Sequence, residues 1–344
     1  MKKINKSDLP LLLKKVSDSM DLFTPIKGRG VTNWGRFGEE KEADLDTLKT
    51  VKSPKDLFFP QCQTLYMVHD SEEGYSISPM KLTETEFCVF GIRPCDVRAL
   101  TVMDQVFLSD PVDTFYQARR EHAILVSLAC HRPAQTCFCS AFEIDAADPD
   151  ADVAMWCTEE SYYLEARTDK GEKLLEIAGD LLSDEADTAA VEKEKESIRK
   201  ILDRLPYKDL DLSAFGPGKV DQLFGDPNWK QLSDACLACG TCTFVCPTCQ
   251  CYDIKDFNTG HGIQRYRCWD SCMYSDFTLM AAANNRTTQM QRFRQRFMHK
   301  LAYFPDNNDG MFMCVGCGRC VDKCPQSLNI VKVIKTVGKE GRDV

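Results

Sequence analysis

The residues best placed to do chemistry are the thiols of Cys236-Leu-Ala-Cys239-Gly-Thr-Cys242-Thr-Phe-Val-Cys246-Pro247. Their spacing, C-x2-C-x2-C-x3-C-P, is the one with which bacterial ferredoxins hold iron–sulfur clusters. Cys314-Val-Gly-Cys317-Gly-Arg-Cys320-Val-Asp-Lys-Cys324-Pro325 repeats it residue for residue. Gly240, Gly316 and Gly318 let the backbone bend tightly and turn its N–H groups toward sulfur. In two-cluster proteins the fourth Cys of each run reaches across to the other cluster. The spacing therefore predicts one [4Fe-4S] cluster on Cys236, Cys239, Cys242 and Cys324, and a second on Cys246, Cys314, Cys317 and Cys320. Structural zinc, which uses separated C-x2-C pairs, leaves the third Cys and the Pro of each run unexplained. No C-x-x-C-H occurs, so haem attachment is not indicated.

A chain of 344 residues buries an ample core, so small size does not account for its 19 cysteines. The count is odd and no secretory leader is evident, because Leu9-Pro-Leu-Leu-Leu13 is short and runs into Lys14-Lys15. A disulfide scaffold is thus disfavoured, no apolar run reaches a membrane span, and a cytoplasmic location is expected. Between Glu143 and Glu196 lie 18 acidic and 5 basic residues, a net charge of −13 within an overall −9, which leaves +4 for the remainder. The acidic stretch reads as a solvated face, and no nucleic-acid-binding surface is expected.

The elements that must position these thiols can be read along the chain. Residues 7–20 have a helical apolar face on Leu9, Leu12, Leu13, Val16 and Met20. Gly28-Arg-Gly30 lacks the third glycine of a dinucleotide loop and reads as a plain turn. The runs 64–69, 87–92 and 123–129 read as buried strands of a mixed sheet, with a helix over 96–107. Cys95 follows the second run and Cys130 ends the third, so both fall at carboxyl ends of strands, where open α/β sheets place their sites. With Cys137 and Cys139 they make a candidate ligand set for a third [4Fe-4S] cluster. Cys62, Cys88 and Cys157 read as small buried hydrophobes.

Further strands are expected at 153–157 and 162–167, with helices at 172–182 and 183–205. Pro206, Pro217-Gly218 and Asp226-Pro227 punctuate a connection to the cluster region. A long insertion, 247–313, separates the two Cys runs. In it Met290, Phe293, Phe297 and Leu301 form one helical face, and Arg292, Arg294, Arg296 and Lys300 read as its solvated side or as a docking patch for an acidic partner. The insertion also holds Cys249, Cys251, Cys268 and Cys272. These could make one more four-sulfur site, with Cys268 and Cys272 sharing a face if that piece is helical, or simply pack around the clusters.

Phe58-Phe59-Pro60, Gly91-Ile-Arg-Pro-Cys95-Asp96, Cys137-Phe-Cys139, Cys236 through Tyr252, Trp269-Asp-Ser-Cys272-Met273 and Cys314 through Pro325 together resemble one family, that of the iron–sulfur electron-transfer chain of anaerobic sulfite reductase and the beta subunit of sulfhydrogenases. The resemblance implies an electron carrier between a flavin- and NAD(P)-binding reductase subunit and a terminal catalytic subunit of sulfite reductase or hydrogenase type. It strengthens the third cluster and leaves Cys268 outside the family pattern. Similar subunits serve heterodisulfide-reductase complexes, so the terminal acceptor stays open.

The expected protein is α+β: an N-terminal mixed α/β domain over 1–220, then a largely helical dicluster ferredoxin-like domain over 221–344. It should relay single electrons as a non-catalytic subunit, since no nucleophile, general base or nucleotide loop stands out. An iron–sulfur redox sensor is the rival reading, and it lacks a nucleic-acid-reading element.

Overall fold

A computed structural model describes residues 1–38, 41–71, 74–184 and 187–338. The fold is α+β. A seven-stranded sheet has the order β1 (Lys2–Asn5), β9 (Ser161–Ala166), β8 (Val153–Cys157), β7 (Ala123–Leu128), β6 (Phe87–Ile92), β2 (Asp21–Lys27), β3 (Thr32–Arg36). Its middle strands β2, β6, β7 and β8 are parallel, and antiparallel strands finish both edges. β6 and β7 are buried at every position. Period-2 alternation divides them: Cys88, Phe90, Ile124 and Val126 pack with Leu12, Leu13 and Val16 of the helix Leu9–Ser19, while Phe87, Val89, Ala123 and Leu125 pack with Leu100 and Met103 of the helix Pro94–Phe107. A strand covered on both faces must be apolar throughout, which is why these runs lack polar alternation.

The run 64–69 departs from expectation. It lies within β4 (Cys62–Ser71) of a separate four-stranded antiparallel sheet, ordered β10 (Tyr252–Asn258), β11 (Gly262–Trp269), β4, β5 (Gly74–Pro79). This sheet is largely solvated, with Tyr75 78% and Ile77 67% exposed, and its strands mix polar with apolar residues. Cys62 is exposed, against its reading as a buried hydrophobe, whereas Cys88 and Cys157 are buried as expected. β11 pairs with β4 over seven positions, from Gly262↔His69 to Cys268↔Cys62, so the insertion between the Cys runs is stitched to the first part of the chain.

The acidic stretch supplies β8, β9 and the helices Asp169–Ala178 and Thr188–Leu202, capped by Thr168 and Asp187. Residues 185 and 186 of the expected second helix lie outside the described residues. In the insertion, Gln289–Met298 is a helix opened by a Thr288/Gln291 capping box and continued by a π-helical turn, His299–Tyr303. Its Phe293, Phe297 and Leu301 join a core that includes Phe138, Phe215, Trp229 and Val333. Among the described residues no helix is long and apolar enough to cross a membrane.

Candidate electron-transfer centres

Cys236, Cys239 and Cys242 of the first run line one cavity together with Cys324 and Pro325 of the second, the crossed arrangement expected from spacing. The walls are otherwise mainly apolar, from Leu237, Met273, Phe293, Phe297 and Leu328. Cys239 is exposed and Leu237 is 61% exposed, so this cavity lies just beneath the surface. Gln289 Nε2 donates to Cys236 Sγ (3.4 Å). Arg296 Nε donates to Cys242 Sγ (2.9 Å) and its Nη2 to Cys242 O (2.7 Å). The third nitrogen of this guanidinium, Nη1, is buried without a partner at the cavity wall. A buried donor left unpaired is costly, and a sulfide-bearing anion held in the cavity would supply the acceptor it lacks.

Cys246, Cys314, Cys317 and Cys320 form a second group, in which Cys317 is buried and the other three are half-buried. Burial pushes the thiols of Cys314, Cys317 and Cys320 up, against the pull of Arg319 on Cys317 and of Arg296 on Cys320; Cys320 reaches about 12. Such thiols ionise more readily when a cation joins them, and bound iron would supply that charge. Lys300 stands beside Cys246 and Cys314, with Nζ donating to Thr248 Oγ1 (2.8 Å), and Cys246 Sγ is 3.3 Å from the same hydroxyl.

Cys95, Cys130, Cys137 and Cys139 converge on a third cavity. β6 feeds the first turn of the helix Pro94–Phe107, which carries Cys95; the neighbouring parallel β7 ends two residues before Cys130; Cys139 opens a 3-10 turn, Cys139–Phe142. Burial pushes all of Cys95, Cys130 and Cys139 up, Cys130 to about 12. Cys317 and Arg319 of the second run also line this cavity, so the second and third groups share a wall. Arg319 makes a bidentate pair with Asp96 (2.6 and 2.7 Å), both almost fully buried, and its Nε donates to Thr50 O (3.1 Å). Gly316 and Gly318 have φ of +59° and +76°, and added Cβ atoms would collide with Phe138 O and Thr136 O. Glycine is therefore required both for the turn and for the close approach of the two loops, which Phe138 N fastens by donating to Gly316 O (2.9 Å).

Two expectations are corrected. Arg296 and Lys300 are not on a solvated face: they are 2% and 3% exposed and point at cysteine sulfurs, because they sit three residues after Phe293 and Phe297 on the flank of the buried stripe. Arg292 and Arg294 are half-buried: Arg292 donates to Met273 O and Arg286 O, and the Arg294 guanidinium rests 3.5 Å over the Phe224 ring. Cys268 is on a strand rather than a helix, and its thiol lies beside Cys62. Cys249, Cys251 and Cys272 do come together, Cys272 beside Cys251 and Cys249 beside Cys246. Sequence reasoning gave no role to Asp96, Lys55 or Arg319; the Asp that closes Gly91-Ile-Arg-Pro-Cys95-Asp96 and the Arg inside a C-x2-C-x2-C run were the available signals.

Residues 235–328 match the family model of the 4Fe-4S dicluster domain, and this segment is such a domain. The chain is accordingly an iron–sulfur electron-transport protein. Along nearly its whole length it is also similar to Sulfhydrogenase 2 subunit beta of Pyrococcus furiosus, at 28% identity over 351 residues that cover 98% of each chain. The resemblance to the sulfhydrogenase beta subunits thus extends far beyond the cluster runs. No solved structure matches the chain.

Proposed function

We propose that the chain is the electron-transfer subunit of an anaerobic oxidoreductase complex, passing single electrons between a flavin- and NAD(P)H-oxidising subunit and a terminal reductase of hydrogenase or sulfite reductase type. The observation that carries this reading is the contiguity of the three sulfur groups. The first lies under the surface, Arg296 and the Cys242–Cys320 proximity connect it to the second, and Cys317 borders the third. [4Fe-4S] clusters at Cys236/Cys239/Cys242/Cys324, at Cys246/Cys314/Cys317/Cys320 and at Cys95/Cys130/Cys137/Cys139 would each accept and release one electron. The protein's part is to hold them close, exclude water and set their potentials through the buried cations. The same reading divides the chain at 220/221, just at the helix Val220–Phe224, and places it in the cytoplasm, where the nineteen free thiols stay reduced.

A cubane takes one electron and a nicotinamide gives two as hydride, so this subunit needs a flavoprotein beside it. The purified chain should be bleached by dithionite and remain inert to NADH and NADPH; adding the flavin subunit of its complex should confer bleaching by one of the two. Rapid reduction of the flavin-free chain by either nicotinamide would overturn the assignment.

A further inference from the structure

The base of the β10–β11 hairpin gathers sulfur that the three centres above do not use, with Lys55 beside it and Lys300 shared with the second group. Cys251 immediately precedes β10 and Cys272 follows β11 by three residues; Asp270 N donates to Cys251 O (2.9 Å) and closes the ladder, so the two thiols meet. Ser271, fully buried, accepts from Thr243 Oγ1 (2.8 Å) and pins this hairpin base to the first Cys run. Cys249, in the turn after Cys246-Pro247, lies within electrostatic reach of Cys272. Cys249 and Cys272 are buried, and Cys251 is half-buried.

Around these thiols are two ammonium groups. Lys55 is 2% exposed, with Nζ donating to Cys249 O (2.8 Å) and 3.8 Å from the centre of the Trp269 ring. Lys300 is 3% exposed and has the Thr248 hydroxyl as its hydrogen-bond acceptor. Among the described residues neither pairs with a carboxylate. A buried cation without a counter-charge is strongly disfavoured, so the fold calls for an anion here. Cations crowding the thiols would repel a lone divalent metal, and among the described residues no three His, Cys, Asp or Glu side chains converge on a single-ion position. A polynuclear cluster meets both conditions: its ligands attach to separate irons, and three thiolates outweigh the charge of an oxidised cubane core, which makes the assembly anionic.

We infer that Cys249, Cys251 and Cys272 hold a further iron–sulfur cluster through three cysteines, with Lys55 and Lys300 as its buried counter-charges. Cys268, committed to the β11–β4 ladder beside Cys62, takes no part.

The test is iron and sulfide analysis with electron paramagnetic resonance on the anaerobically prepared full chain. Cys272→Ser and Cys251→Ser should each lose about four irons and leave the dicluster signals as they are. Cys95→Ser should lose a different set, so failure of the third centre and failure of this one are read apart. Lys55→Met should keep the fold by circular dichroism yet shed this cluster to a chelator first. Equal iron in Cys251→Ser, Cys272→Ser and wild type overturns the inference, as does a Cys251–Cys272 disulfide in the anaerobic protein. Should the Ser variants misfold, alkylation of the wild type decides: Cys249, Cys251 and Cys272 should resist labelling until iron is chelated, and labelling of the native protein overturns it.

Discussion

The cavity of Cys236, Cys239, Cys242 and Cys324 and that of Cys95, Cys130, Cys137 and Cys139 have the same four-sulfur composition and are built in opposite ways. The first hangs on one loop plus a single crossing Cys, is walled mainly by apolar side chains, and comes to the surface at Cys239. The other is assembled from two strand ends and a separate loop, with Arg93, Lys49 and Arg319 among its walls. Two of their thiols show the contrast: hydrogen bonding with Thr241 draws Cys239 down, whereas burial drives Cys95 up. The contrast teaches that a surface centre can be specified by a short run, while an interior one needs a finished sheet and its own counter-charges. An electron partner meets the first sooner than the other.

The sharpest way to break this comparison is Cys324→Ala. It should abolish the cluster of the first run and spare that of the second; spectra showing the reverse would mean that each run ligates its own. Cys95→Ser should remove about four irons without touching the dicluster signals, and unchanged iron would deny the interior centre. Asp96→Asn strands Arg319 in the core and should destabilise the fold by about 3–5 kcal/mol in denaturant titration. A loss below about 1 kcal/mol would show that the pair does not brace the shared wall. Arg296→Gln removes a donor and a positive charge from the first cavity, which disfavours the more negative reduced cluster. Its midpoint potential should fall while that of the interior cluster holds, and Arg296→Lys should restore part of the shift.

The smallest effect is one of pH on the iron-free chain. Burial raises the Cys130 thiol from 9.0 to about 12, so the fold prefers it protonated. That contribution is intact below pH 9 and is lost as pH rises toward about 12. Cluster uptake, which must expel the proton, should strengthen over the same interval; Cys130→Ser should flatten the stability profile.

The regions also differed in how plainly the sequence announced them. The meeting of Cys324 with the first run in one cavity was legible because the repeated spacing points to it, and β6, β7, β8 and β9 were legible because burial leaves a mainly apolar run. The convergence of Cys130 with Cys137 and Cys139 could be suspected from strand ends but not positioned, since parallel neighbours are chosen by tertiary packing. Arg296 and Lys300 misled for a clearer reason: a cation on the flank of an apolar stripe is ordinarily solvated, and only the sulfur facing it reverses that preference. Cys62–Ser71 misled because a strand of a solvated sheet and a core strand share β-rich composition.

The pairing of β4 with β11 bears on how such a protein can be recombined. A fragment trimmed to residues 235–328 would carry every thiol of the two runs yet leave β11 without its partner along seven positions. The bare edge, next to exposed Ile254 and Phe257, would invite another chain to add to it and aggregate. Transplanting these centres into another scaffold therefore means moving two distant stretches together, the Cys-rich one and Cys62–Ser71. The heritable unit is discontinuous, and a crossover falling between its halves would separate the clusters from the strand that keeps their hairpin soluble.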